Sequence, residues 1–253
     1  MEITILGSGT SQGVPVIACD CVVCKSQDLK DKRLRSAIMI EINGKNIVID
    51  AGPDFRQQML RENVKNIRAV LVTHGHKDHI GGLDDIRAFN WVNRGAIDLY
   101  SNEFAIKDIY KDFSYAFTEN KLGGLPEINI YTVDDSFFWI DDIKIIPITV
   151  MHYKLPILAY RIENFAYITD AKTINATELE KLRGVEILII NALRKEEHIS
   201  HLTLNEAIDI IKEINPQKAY ITHIGHQMGL NAEVNNELPE NIFLAYDGMK
   251  INI

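Results

Sequence analysis

Cysteine is scarce in this chain, three in 253 residues, and all three fall between Cys19 and Cys24. An odd number of thiols this close together excludes an ordinary disulfide framework and leaves ligation or free thiols. Proline occurs only seven times, and no low-complexity tract, repeat or linker interrupts the chain, so one domain over 1–253 is the economical reading. No apolar run reaches the length of a membrane span, which excludes a helical membrane protein. The opening Met1-Glu2-Ile3-Thr4 has no basic region or cleavage site, as expected of a cytoplasmic protein. Positive charge is the minority sign: 27 Lys and Arg stand against 35 Asp and Glu, a net charge of −8. With no dense basic block to track a polyphosphate backbone, nucleic acid is a poor candidate for the partner, and small substrates are favoured.

With 46% hydrophobic residues the chain can build a sizeable core. Strands are expected at Ile3–Leu6, Ala37–Ile42 and Asn46–Asp50, the last two joined as a hairpin at Asn43-Gly44. Pro53 suits the first turn of a helix reaching about Asn63, and Ala69–Thr73 is a short β-branched run. Leu83–Asn90, Glu103–Asp112 and Asn175–Leu182 read as helices. Phe137–Ile140, Ile143–Thr149, Ala159–Ile162, Ala166–Thr169 and Glu186–Ile190 read as strands, with turns at Asp141-Asp142 and Glu163-Asn164. Thr203 opens a helix with a capping box to Glu206 and an apolar stripe Leu204, Ala207, Ile208 and Ile211. Strands at Lys218–Thr222, Ile242–Ala245 and Met249–Ile253 finish the chain. Hairpins interleaved with single helices imply an α/β (α+β) fold of two face-to-face sheets with helices outside.

The densest chemistry is Thr73-His74-Gly75-His76-Lys77-Asp78-His79, three imidazoles and a carboxylate directly after an apolar strand. Neutral imidazole and carboxylate are the usual ligands of zinc, iron and manganese, and a loop can aim His74 and His76 at one ion while Asp78 and His79 reach a second. His152, Asp170 and His223 each follow an apolar β-like segment, so all three are candidates for the same sheet rim. Asp50 lies in Ile49-Asp50-Ala51-Gly52. A further tetrahedral site is suggested by Cys19, Cys21 and Cys24, with His226 as the fourth ligand. Such a Cys3His zinc would contribute on the order of 10 kcal/mol to folding.

This set of residues resembles the metallo-β-lactamase superfamily along essentially the whole chain. The resemblance implies an αββα four-layer sandwich with two divalent ions: one held by His74, His76 and His152, the other by Asp78, His79 and His223, with Asp170 bridging. It makes Asp50 an outer group that orients a ligand imidazole. Paired ions 3.5–4 Å apart can acidify a shared water and grip a phosphoryl oxygen, so hydrolysis follows, with Asp78 and His201 among the catalytic residues. The superfamily also hosts thioesterases, β-lactamases, nucleases and flavin-linked iron oxidoreductases. The acidic arrangement at Asp78 and the lack of a flavin-binding segment set redox chemistry aside.

Within the superfamily the chain is similar to the PhnP-type phosphodiesterases, named for the enzyme that opens phosphoribosyl 1,2-cyclic phosphate. The matching pieces are Gly7-Ser8-Gly9-Thr10-Ser11-Gln12-Gly13-Val14-Pro15, the cysteine triplet, Asp50-Ala51-Gly52-Pro53-Asp54-Phe55-Arg56, Asn191-Ala192-Leu193-Arg194, Ser200-His201-Leu202-Thr203 and Thr222-His223-Ile224-Gly225-His226. The resemblance places His201 on the substrate side of the metal pair, to bind phosphate or to protonate the leaving oxygen, work that suits imidazole. His198 is expected to contact only water, Arg194 suits an anion contact or a surface role equally, and Phe113, Tyr115 and Phe117 read as strand packing.

The expected substrate is a small cyclic or diester phosphate. A tRNA 3′-processing endonuclease shares the ligand set, but its tRNA-gripping arm and His-Glu-Ala-Thr box are missing here. A non-catalytic metal-binding relative is the third reading. Zinc, manganese and iron all suit the donor set. A homodimer is common in the resembling family, and no motif specifies one here.

Overall fold

The computed structural model describes residues 1–118 and 124–253. In chain order the strands are β1 (Glu2–Gly7), β2 (Ala37–Ile42), β3 (Lys45–Ile49), β4 (Ala69–Leu71), β5 (Ile97–Ser101), β6 (Ile128–Thr132), β7 (Phe138–Ile140), β8 (Ile143–His152), β9 (Leu155–Ile162), β10 (Phe165–Ile168), β11 (Ile187–Asn191), β12 (Lys218–Thr222), β13 (Ile242–Leu244) and β14 (Lys250–Asn252). They form two seven-stranded sheets, ordered β14-β1-β2-β3-β4-β5-β6 and β13-β12-β11-β10-β9-β8-β7.

Side-chain alternation explains the layers. Successive strand residues point to opposite faces. Ile3, Ile5, Ile38, Ile40, Ile47 and Ile49 of the first sheet meet Tyr160, Phe165, Tyr167, Ile187 and Ile189 of the second in one shared core. The intervening residues Met39, Val48 and Val70 pack outward under Phe55, Leu83, Phe89 and Ile109. On the other side Ala166, Ile168, Leu188 and Ile190 pack under Leu204, Ala207 and Ile211. Two sheets, each with an apolar outer face covered by helices, make the four-layer sandwich. The helix Leu204–Ile214 carries the capping box, Thr203 receiving the Glu206 N–H and Glu206 receiving the Thr203 N–H.

Several elements differ from expectation. Strands β5 and β6 were not anticipated, nor was the helix Asn231–Glu237. The stretch expected as one helix over Leu83–Asn90 is a 3₁₀ turn, Leu83–Ile86, followed by a helix over Arg87–Asn93. The helix expected from Pro53 begins at Phe55 and ends at Arg61. Phe113, Tyr115 and Phe117 do not lie on a strand: Ser114–Phe117 is a 3₁₀ turn packed beside the helix Glu103–Asp112, with the Tyr115 hydroxyl donating to Asp84. Among the described residues no helix is long and apolar enough to cross a membrane.

What matters for function is strand direction. β3 through β6 run parallel to one another, and so do β10 through β13. Their carboxyl ends therefore lie at common rims, where open sheets collect ligand-binding loops.

Candidate metal centre

Most of the site residues leave a strand end, while Asp78 and His79 lie on the short helix Lys77–Ile80 that His76 caps. Asp50 follows β3, Thr73 and His74 follow β4, His152 ends β8, Asp170 follows β10 and His223 follows β12. Three of them, Asp50, Asp170 and His223, adopt left-handed backbone with φ of 67°, 58° and 56°. That region is uncommon away from glycine, and here it turns each side chain off its strand into the cleft.

Asp50 organises the loop. It is fully buried; its Oδ1 accepts from the Thr73 N–H at 2.8 Å, and its Oδ2 accepts from the Thr73 hydroxyl at 2.9 Å and lies 2.7 Å from His79 Nδ1. This contact fixes the His79 ring and leaves Nε2 facing the cleft. Burial pushes the Asp50 carboxyl up, and the His79 and Thr73 contacts work against that shift.

The donor atoms fall into adjoining groups. His74, His76 and His152 offer nitrogens all within 4.8 Å of one another, and the carboxylate oxygens of Asp78 and Asp170 and the nitrogens of His79 and His223 form a second group within the same distance. Asp170 sits between the groups, its Oδ2 lying 3.2 Å from His79 Nε2 and 3.1 Å from His223 Nδ1, and its Oδ1 lying 3.0 Å from His201 Nε2. Asp170, His152 and His201 form a third such set.

This donor set suits divalent cations. His79 Nε2 is buried and, among the described residues, makes no hydrogen bond, although Asp78 and Asp170 each place an oxygen 3.2 Å away. Ligands about 2.0–2.1 Å from a tetrahedral ion stand about 3.3 Å apart, close to these separations. Burial lowers the pKa of His74 and His152, and takes His223 down to about 4, which favours the neutral form whose lone pair a cation needs. His79 is held well above its ordinary value: burial opposes its charge, but Asp50, Asp170 and Asp78 outweigh burial. A cation between those carboxylates would take the place of that proton.

The cysteine loop forms a separate cluster. Sγ of Cys19, Cys21 and Cys24 lie 3.2, 3.4 and 3.4 Å from His226 Nδ1. A tetrahedral zinc with sulfur at about 2.3 Å and nitrogen at about 2.0 Å has an S···N edge of about 3.6 Å, so the cluster has the dimensions of a Cys3His cage. The Cys24 N–H donates to Cys21 Sγ and draws that thiol down to about 6, toward the thiolate a metal requires. His226 begins the short turn His226–Met228, three residues beyond His223, and so links the two clusters through one loop.

Further contacts come from residues outside the ligand set. Thr10 Oγ1 lies 3.2 Å from His223 Nε2 and Ser36 Oγ lies 3.3 Å from its Nδ1, so the glycine-rich Gly7–Gly13 segment lines the second ligand group. Asn191, fully buried at the end of β11, receives the Ala171 N–H and donates to the Ala171 carbonyl, pinning the loop that carries Asp170. His198 does more than contact water: its Nδ1 lies 3.1 Å from His201 Nδ1 and 3.3 Å from Ser200 Oγ. Arg194 donates to the backbone carbonyls of Glu196 and Glu197 and so ties a surface loop.

Gly52 shows how tightly the site is built, because a Cβ there would overlap the Asp78 carbonyl oxygen. Gly52→Ala is expected to shift the turn Lys77–Ile80 and destabilise the protein by about 1–3 kcal/mol. A thermal midpoint unchanged from the parent protein would refute this.

The chain matches the family model described as a beta-lactamase superfamily domain over residues 45–224, and it belongs to that superfamily. Within it the chain belongs to the PhnP family: it is 40% identical to a crystallised diphosphatase of that family, with a TM-score of 0.94, covering 100% of this chain and 97% of the other. Zn²⁺-bound PqqB from Methylobacterium extorquens shares the fold at 18% identity, with a TM-score of 0.83 and full coverage of both chains. A protein of Porphyromonas gingivalis named octanoyltransferase is 41% identical over 99% of this chain. The chain spans about half of that protein's length, 51%.

Proposed function

We propose that this chain is a metal-dependent phosphodiesterase acting on a small cyclic or diester phosphate such as phosphoribosyl 1,2-cyclic phosphate. The observation that carries the proposal is the position of Asp170, whose carboxylate lies 3.2 Å from His79, 3.1 Å from His223 and 3.0 Å from His201, with a donor nitrogen of His152 within 4.8 Å. Similarity to a PhnP-family diphosphatase supports phosphorus as the centre attacked.

His74, His76 and His152 would hold one divalent ion, and Asp78, His79 and His223 the other, with Asp170 shared. Zinc, manganese and iron all suit these donors. Bound there, such a pair would polarise a phosphoryl oxygen and acidify a shared water. The protein's own residues supply the rest. Asp50 fixes the His79 ring, and Thr10 and Ser36 flank His223. His201 presents Nε2 to the cleft while its Nδ1 is engaged by Ser200 Oγ at 3.0 Å and by His198. A proton on Nε2 is placed to meet the departing sugar oxygen or to hydrogen-bond the phosphoryl group. In the Cys19, Cys21, Cys24 and His226 cage we propose a structural zinc.

His201→Ala is expected to reduce turnover of bis(p-nitrophenyl) phosphate by on the order of 10²-fold while metal content stays at the parental level. Loss of metal from this variant would reassign His201 as a ligand. The phosphodiesterase reading itself fails if zinc-, manganese- and iron-loaded protein all leave that substrate and cyclic nucleotides intact.

A further inference from the structure

Beside the first histidine group lies a surface groove walled by His76, His152, Tyr153, Leu155 and Ile199, with Lys154 at its rim. Its character is opposite to that of the metal cluster. Ile199 is 66% exposed and Tyr153 51% exposed, so two large apolar side chains stand open to water on either side of candidate ligands. Exposure of that kind is unfavourable for solubility and marks a contact surface when it adjoins a reactive centre.

The backbone adds an independent observation. Tyr153 and Lys154 form the two-residue connection between β8 and β9, immediately after His152, which pairs with Leu155. Tyr153 has φ of 55°. Asn and Asp tolerate this region best, and the chain uses them at Asn43, Asn63, Asp141 and Asn215, with Ala18, Arg94 and Glu163 there as well; a bulky aromatic gains nothing from that backbone and is disfavoured in it. An aromatic ring at this turn is therefore not explained by the turn. The Lys154 ammonium lies 5.3 Å from the ring centre, a cation–π contact that steadies the ring and leaves a positive charge at the rim.

We propose that this groove is a substrate subsite that takes a flat aromatic substituent carried on the phosphorus, with the Tyr153 ring as its platform and Ile199 and Leu155 as its walls. The proposal rests on the phosphodiesterase reading and sharpens it. The phosphoryl group would sit over the metal-binding histidines and the aromatic group would extend past His152 onto Tyr153. Apolar lining favours a ring over a bare sugar, and stacking on a tyrosine face favours a planar ring over an alkyl chain.

The test compares phosphonates that differ only in their substituent, titrated calorimetrically into the metal-loaded protein. Phenylphosphonate is expected to bind about tenfold more tightly than methylphosphonate. Tyr153→Phe should keep that ratio. Tyr153→Asn, which suits the left-handed turn and so retains or raises the thermal midpoint, should bring it within about twofold of unity. A preference that survives Tyr153→Asn, or butylphosphonate binding as tightly as phenylphosphonate, overturns the aromatic subsite. Turnover of bis(p-nitrophenyl) phosphate by the parent protein and by Tyr153→Asn separates the two readings. No turnover by either, with the phenylphosphonate preference intact, rejects the phosphodiesterase and keeps the subsite; turnover by both with the same KM rejects the subsite and keeps the phosphodiesterase.

Discussion

Asp170→Ala is expected to reduce phosphodiester turnover to background and to strip most of the metal from the cleft. Asp170 touches three imidazoles of the site, lying within about 3 Å of His79, His201 and His223, and it is 2% exposed. Its carboxylate is held well below the usual range. Burial works against ionisation, but His223 and His79 together with the His201 contact outweigh it. Removing it leaves His79 Nε2 and His223 Nδ1 without the anion that faces them and, in the proposed arrangement, would take one donor from each ion. Loss of an outer-shell partner already weakens metal sites by roughly 10–100-fold, so a shared inner ligand should have a greater effect. Elemental analysis of purified protein, alongside bis(p-nitrophenyl) phosphate hydrolysis, decides the matter. Parental metal content together with parental turnover would remove the shared-carboxylate account of this site.

Cys24→Ser is the second large effect, and it falls on stability. The lobe around the cysteines has a small core of its own, with Val14, Val23 and Cys24 buried and Val16, Cys19, Cys21 and Leu230 partly so. A core of that size contributes little against the entropy of ordering the surrounding loop. If the proposed zinc occupies the cage of three sulfurs around His226 Nδ1, it supplies most of the holding energy, since structural zinc sites bind with on the order of 10 kcal/mol. Because the rest of the fold keeps its own core, part of that is retained on mutation. The thermal midpoint is expected to fall by on the order of 10 °C, several kcal/mol at roughly 2–4 °C each. Loss should spread toward the active cluster. The Ile224 N–H donates to the Ser8 carbonyl and the Thr10 N–H to the Ile224 carbonyl, so His223 shares its loop with the cage. Scanning calorimetry with and without a chelator checks the prediction, and a midpoint insensitive to both treatments would leave the cysteines as free thiols.

The parts of the molecule legible in the chain are those whose cause is local. The hairpin over Ala37–Ile49 follows from Asn43-Gly44 between alternating apolar residues. The helix beginning at Leu204 follows from its capping box and stripe. Strands β5 and β6 escaped because Asp98, Tyr100, Asn129 and Tyr131 interrupt their apolar runs, although the alternation Ile97, Leu99 and Ile128, Ile130 was present. The aromatic alternation at Phe113, Tyr115 and Phe117 misled in the other direction, since period-two spacing over so few residues also fits a tight helical turn. His198 looked like a surface residue because nothing near it in sequence reveals that its Nδ1 meets the His201 ring.

By itself the amino-acid sequence determined which donors exist: a histidine and aspartate cluster after one strand, single ligands after three others, and three thiols in a row. Ligand chemistry is a property of residue type, so it survives without coordinates. Only the tertiary structure decided that Asp50, Asp170 and His223 turn off their strands through left-handed backbone, that Asp50 and Asp170 both reach His79, and that Tyr153 and Ile199 line an apolar groove beside the first histidine group. Those facts depend on sheet register and on contacts between residues as much as 213 positions apart, as in Thr10 with His223, and no local periodicity encodes a distance of that kind.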